Sequence, residues 1–82
     1  MNIEFEIRNI LSESLGVDPD SILLSSRIVE DLGADSLEMV ELAIELEERF
    51  GIRVDDEEMI VKATTVGELI EYVGRVVERE GA

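Results

Sequence analysis

Eighty-two residues give one small domain, near the size at which a single apolar core just suffices without staples. Cysteine is absent, which excludes a disulfide framework and any thiolate metal site. Twenty-one acidic residues against seven basic give a formal net charge of −14, which excludes nucleic-acid backbones as electrostatic partners and favours basic protein surfaces.

Ile3, Ile7, Ile10 and Leu11 recur at three- and four-residue spacing, with Ser14 on the same line, and predict a helix over about 3–15. Glu4 and Arg8 stand one turn apart on another face and can pair there. Phe5 falls off the apolar stripe, at an edge, and Gly16 is placed to stop the helix. This helix reads as scaffold.

Residues 16–34 keep no sustained period. Val17-Asp18-Pro19-Asp20-Ser21 is turn chemistry: proline favours a turn, and the aspartate and serine oxygens are ready acceptors. Ser21 is placed to open a short helical turn. Ile22, Leu23, Leu24, Ile28, Val29 and Leu32 are too many apolar side chains for a free linker, so the segment is expected to lie pinned on the core. A connection this long in a compact domain needs a reason.

Asp35 is an N-cap residue with Glu38 three positions on, an acidic form of the capping box. Apolar residues then keep helical spacing from Ser36 to Phe50, and Gly51 follows. Ser36 thus falls on the first helical residue, where its hydroxyl is open to solvent. A phosphate esterified to it would meet free main-chain N–H groups and the positive end of the helix dipole.

Plotted at about 100° per residue, this helix carries two apolar stripes. Met39, Leu42, Ala43, Leu46 and Phe50 form the core stripe. Leu37, Val40 and Ile44 lie nearly opposite, fenced by Glu41, Glu45, Glu47 and Glu48. A small bundle can bury only one of the two. Scattered surface aliphatics are ordinary, but three in line beside Ser36, rimmed by like charge, mark a docking surface.

Ile52-Arg53-Val54 makes a short apolar connector. Asp55 is the expected cap of a brief third helix over about 56–62, with Glu58 reaching back to it and Met59, Ile60 and Ala63 available for packing. The acids here lack the spacing of a calcium loop and read as a solvated cap, so no metal site is assigned. Thr65 and Glu68 form a second capping box and open a last helix over about 65–78. Its stripe is Val66, Leu69, Ile70, Val73, Val76 and Val77, with Tyr72 on another face. Gly67 and Gly74 lie at the edge of that stripe, where they weaken the helix and admit a close neighbour. Residues 78–82 are expected to fray.

Four helical patterns and no alternating stretch predict an all-α, small four-helix bundle, with three longer helices, a short third one and a long first loop. No apolar run is long enough to span a bilayer and no signal-peptide pattern is present, so a cytoplasmic monomer is expected.

The run Glu30-Asp31-Leu32-Gly33-Ala34-Asp35-Ser36-Leu37-Glu38-Met39-Val40-Glu41-Leu42 closely resembles the prosthetic-group attachment segment of acyl carrier proteins, around the serine of D-S-L. The resemblance extends from the first helix to Val73 and is strongest over 29–50. It implies one carrier domain over 1–82, in which a phosphopantetheinyl transferase moves 4′-phosphopantetheine from coenzyme A to Ser36, with Asp35 and Leu37 as the flanking motif. The thiol of that arm would carry acyl groups as thioesters, and the long loop would deliver the serine to the top of the bundle. Enzymes of fatty acid synthesis are the implied partners, their basic patches docking on Leu37, Glu38, Val40, Glu41, Ile44, Glu47 and Glu48. The run G-A-D-S-L-E-x-V-E-L favours a fatty-acid carrier, because peptidyl carriers more often show another residue before the serine. The third helix departs from the family pattern. Asp55 stands where many members have proline, and the segment before Thr64-Thr65 is one residue longer, which leaves the register of that helix open.

No catalytic role follows from the residues. A nucleophilic serine needs a base in reach, usually histidine, and the chain has none. Ser36 is not in a G-x-S-x-G elbow, and nearby acids oppose an alkoxide. Two classes of function remain. One is a modified carrier of fatty acyl, specialised acyl, polyketide or D-alanyl groups; the other is an unmodified acidic adaptor docking through the same helix.

Overall fold

Helix ends need partners for the main-chain groups left unpaired in their terminal turns, and this chain supplies them locally. In a computed structural model that describes residues 2–80, α1 spans Ile3–Leu15, α2 Ser36–Phe50, α3 Asp56–Lys62 and α4 Val66–Glu80. Asn2 caps α1, its Oδ1 accepting from the Phe5 N–H at 3.1 Å. Gly16 and Gly51 close α1 and α2 in the left-handed conformation. Thr65 and Glu68 open α4 reciprocally: the Glu68 N–H donates to Thr65 Oγ1 at 3.2 Å, and the Thr65 N–H to Glu68 Oε1 at 3.0 Å. α4 runs on to Glu80, past the expected end near 78, because Glu80 Oε1 accepts from the Arg53 N–H at 3.0 Å and ties the helix to the α2–α3 connector. The fraying expected of residues 81 and 82 lies outside the described residues.

The four apolar faces converge on one core. Ile7 and Leu11 of α1, Leu42 and Leu46 of α2, Met59 of α3 and Leu69 and Val73 of α4 all keep 2 % exposure or less. Each such side chain contributes about 1.5–3 kcal/mol by leaving water. α1 packs on α2 and α4, and α3 bridges α2 and α4, which makes the all-α four-helix bundle. Arg49 of α2 donates to Glu6 Oε2 of α1 at 2.8 Å across a half-buried seam. Arg8 pairs with Glu4 at 3.1 Å and also donates to the Ile22 carbonyl.

Several side chains depart from the sequence expectation. Tyr72 is buried at 5 % exposure, not on another face. Leu69, Tyr72, Val73 and Val76 stand at i, i+3, i+4 and i+7, so the stripe of α4 is centred nearer Tyr72, and Ile70 and Val77 are half-buried at its rim. Ser14 is exposed, and so is Ile60. Glu58 does not reach back to the Asp55 N–H. Asp55 Oδ1 does accept from the Glu58 N–H at 3.1 Å, but the Glu58 carboxylate faces Lys62 and the Tyr72 phenol instead. Burial raises the pKa of Tyr72 above its ordinary value, and the charges of Glu58 and Asp55 add to that.

The long first loop is pinned to the bundle, but only partly through its side chains. Pro19–Ser21 form one turn of 3-10 helix opened by Asp18, not by Ser21, because Asp18 Oδ1 accepts from the Asp20 N–H at 2.8 Å. Ile22 and Ile28 are buried and Leu32 half-buried, whereas Leu23, Leu24 and Val29 are exposed. Main-chain bonds replace the missing burial. The N–H groups of Gly67, Val66 and Ile28 donate to the carbonyls of Leu24, Ser26 and Thr64 at 2.9, 2.9 and 3.0 Å, joining the loop to the start of α4. The buried Ser26 hydroxyl accepts from the Leu23 N–H at 3.0 Å, so it is not left unpaired.

Candidate functional site

Ser36 opens α2 between two side chains that are turned away from it. Asp35 Oδ1 accepts from the Glu38 N–H at 2.8 Å, and Glu38 Oε1 accepts from the Asp35 N–H at 3.1 Å, a closed capping box. Ala34 on one side and Met39 on the other are buried, while Ser36 and Leu37 between them are exposed. The backbone is therefore anchored on both flanks and the hydroxyl stands free: it makes no hydrogen bond among the described residues. Gly33 sets the approach. Its φ of 79° lies where a Cβ is unfavourable, and it lets the chain turn so that the Ala34 N–H returns to the Ile28 carbonyl at 3.2 Å.

The second stripe of α2 is open to solvent as expected, with Leu37 at 68 %, Val40 at 37 % and Ile44 at 48 % exposure. Met39, Leu42, Ala43 and Leu46 are buried on the opposite side, and Phe50 is half-buried. Of the acids placed on this face, Glu41 and Glu48 are exposed and make no ion pair among the described residues. Glu38 and Glu47 are committed elsewhere. Glu38 completes the cap, and Glu47 is half-buried with its Oε2 accepting from the Val54 N–H at 2.9 Å. Glu47 therefore holds the connector after α2 rather than standing in a fence of free charge.

α1 adds to this face something that sequence periodicity misplaced. A groove of about 480 Å³ runs between the two helices, lined by Ile10, Glu13 and Ser14 of α1 and Glu38, Glu41, Ile44 and Glu45 of α2. Ser14 lies off the core line that periodicity predicts for it and on the groove, because α1 is rotated to bury Ile7, Ile10 and Leu11. The acidic edge along the first turns of α2 is thus a two-helix surface.

The carboxylates that flank Ser36, those of Asp35 and Glu38, are engaged in the cap, and Glu41 and Glu45 line a surface groove. The residues at the helix start also fit a phosphodiester. The N–H of Glu38 is taken by Asp35, but those of Ser36 and Leu37 have no partner among the described residues and belong to the positive end of α2.

Residues 6–73 match the family model of the phosphopantetheine attachment site. The acyl carrier protein of Wolinella succinogenes is 45 % identical over 73 residues, covering 89 % of this chain and 95 % of that one. That of Campylobacter hominis is 42 % identical over 73 residues, covering 89 % and 91 %. That of Thermotoga maritima is 40 % identical over 68 residues, covering 83 % of each. In three dimensions the chain is similar to the HMG-ACPI domain from the CurA module of Lyngbya majuscula, solved by NMR, with a TM-score of 0.81 at 22 % identity over 98 % of this chain and 79 % of that one. At that identity the likeness speaks for the fold alone.

The chain belongs to the acyl carrier protein family. Its prosthetic group is covalently attached 4′-phosphopantetheine, and its role is to carry acyl groups. No described helix is long and apolar enough to cross a membrane.

Proposed function

We propose that Ser36 is the attachment residue and that the loaded protein ferries acyl thioesters between the enzymes of fatty acid synthesis in the cytoplasm, serving them as substrate rather than as catalyst. One observation carries this reading: the Ser36 hydroxyl is exposed, free of hydrogen bonds and held between the buried Ala34 and Met39, at the head of an exposed apolar stripe. The other serines lack that combination: Ser14 and Ser25 are exposed too, but one lies near the end of α1 and the other in the long loop, and neither heads a helix. Ser12 donates to the Val17 carbonyl at 2.6 Å, Ser21 to the Asp18 carbonyl at 2.7 Å, and Ser26 is buried.

In the transfer, the Ser36 oxygen forms a phosphodiester bond as the pyrophosphate bond of coenzyme A breaks. The nucleotide leaves with the other phosphate, and the serine proton passes to a base on the transferase or to water. This chain contributes an accessible oxygen, a rigid backbone on either side of it, and the surface by which partners are recognised. Leu37, Val40 and Ile44 supply apolar contact, and Glu41 and Glu48 attract a basic patch. The choice of fatty acid synthesis rests on the residues around Ser36, G-A-D-S-L-E-x-V-E-L.

The test is the intact mass after co-expression with a phosphopantetheinyl transferase, for the natural chain and for Ser36→Ala. Mass gain by the first and none by a folded second is the expected result; a modified Ser36→Ala protein refutes the assignment. Chain elongation by purified fatty acid synthesis enzymes on the loaded protein then tests the pathway.

A further inference from the structure

We propose that Arg27 is a positioning residue for loading of the arm: by tying off the turn that precedes Ser36, it sets how that serine is presented. This rests on the reading of Ser36 as the attachment residue.

Arg27 spends its polar groups on a single turn. Its N–H donates to Asp31 Oδ2 at 2.8 Å, and its carbonyl accepts from the N–H groups of Asp31 at 2.8 Å and Leu32 at 3.1 Å. Its guanidinium pairs with both Glu30 and Asp31. The chain then reverses at Gly33, buries Ala34 and enters the Asp35 cap. Main-chain bonds also hold this stretch, the Gly33 N–H donating to the Val29 carbonyl at 3.1 Å and the Ala34 N–H to the Ile28 carbonyl at 3.2 Å, so what the Arg27 side chain itself adds is the pair of ion contacts. Val29, Glu30, Asp31 and Gly33 are exposed and Leu32 is half-buried, so hydrogen bonds and one ion cluster hold it instead of a packed side. Segments of that kind open easily.

On its other side Arg27 faces Thr65 across an isolated bridge, between the bonds that join Ser26 and Ile28 to Val66 and Thr64. It stands where the fixed body of the bundle passes into the loop that delivers Ser36. Its single charge also offsets one of the two carboxylate charges on that approach, whereas Glu41, Glu45 and Glu48 on α2 carry no such partner among the described residues.

Removing Arg27 therefore has two opposite consequences. The turn loosens, which lowers the rate once the transferase is bound, because reacting atoms must be held in place. Glu30 and Asp31 are unmasked, which strengthens attraction to a basic transferase and keeps KM from rising at low salt. A purely stabilising residue would shift melting and produce neither effect.

The experiment measures kcat and KM of a phosphopantetheinyl transferase, with coenzyme A, on the full chain and on Arg27→Ala, Arg27→Lys and Asp31→Asn. Amide exchange of Gly33 and Ala34 is followed by NMR on the same unmodified proteins. Exposed ion pairs are worth factors of roughly two to five, so Arg27→Ala is expected to lower kcat about threefold, leave KM unchanged or lower, and speed both amides by a similar factor. Arg27→Lys should restore KM but only part of kcat, since an ammonium lacks the fork that spans two carboxylates. An unchanged kcat overturns the proposal. A lowered kcat with unchanged exchange also overturns it, because Arg27 would then act by touching the transferase. Should Arg27→Ala fail to fold, Asp31→Asn decides by the same two readouts. Ser36→Ala in the same assay separates the two readings: mass gain there refutes the attachment residue, whereas an unaffected kcat with Ser36 as the target refutes Arg27 alone.

Discussion

Gly67 and Leu24 meet main chain to main chain. The Gly67 N–H donates to the Leu24 carbonyl at 2.9 Å, and a Cβ on Gly67 would lie 3.2 Å from that same oxygen. The first turn of α4 and the long loop are thus as close as glycine allows. The two neighbouring bonds, Val66 to Ser26 and Ile28 to Thr64, extend the contact into a seam.

Gly67→Ala and Gly74→Ala should consequently differ in effect. Nothing lies within 4 Å of a Cβ on Gly74, so alanine there gains about 0.5–1 kcal/mol of helix stability. Alanine at Gly67 presses on a carbonyl held in place by the residue's own N–H, which offsets the gain. Thermal melting should show a higher midpoint for Gly74→Ala and none for Gly67→Ala. Equal stabilisation by both would mean that the loop yields freely.

The two stripes of α2 should separate stability from binding. Leu46 has no exposure, and Leu46→Ala should cost about 2–5 kcal/mol, a large share of a small domain's stability. Val40→Ala and Ile44→Ala should cost the fold much less and transferase turnover more. Reversing Glu41 or Glu48 to lysine should chiefly slow association, with the loss shrinking at high salt. Glu47→Lys differs from these, since it also strips the acceptor from the Val54 N–H and should lower the midpoint. If Val40→Ala melts as early as Leu46→Ala, the docking face is wrong.

Charge should make the fold sensitive to ionic strength. With a net charge of −14 and unpaired acids along α2, self-repulsion weakens the native state at low salt. Moderate salt or a divalent cation should raise the thermal midpoint by screening alone. A midpoint that stays fixed between low and moderate salt would show that the charges are already compensated.

Tyr72 should destabilise the protein in alkali. It is the only tyrosine, and its folded pKa is raised, mainly by burial. Below the unfolded value near 10 both states hold the proton and the shift costs nothing. Above it the unfolded chain gives up its proton first, so stability falls as pH rises towards the folded value. Tyrosinate absorbance should titrate above the free value in the native protein, and Tyr72→Phe should remove the corresponding alkaline loss. A native titration at the free value would contradict the burial of this phenol beside Glu58.

The features legible in the residues alone are local. Asp35 with Glu38, Thr65 with Glu68, and Gly16 and Gly51 mark helix ends because the groups they satisfy lie within four residues. The 3.6-residue period of α2 likewise separates its two stripes without reference to anything else in the chain. Ser36 at the head of an exposed stripe was therefore legible, and D-S-L with its neighbours pointed to the family. The tertiary structure decided what depends on residues far apart in sequence. Tyr72 is buried beside Glu58 of α3 and the Asp55 that caps it, and Ile22 is buried where Leu23 and Leu24 are not because only one side of that loop meets the bundle. Glu47 is free charge by sequence alone, and becomes an acceptor because the connector folds back and places the Val54 N–H on it. Burial and pairing of this kind are sums over neighbours that several elements bring together, and they exist only once those elements have packed.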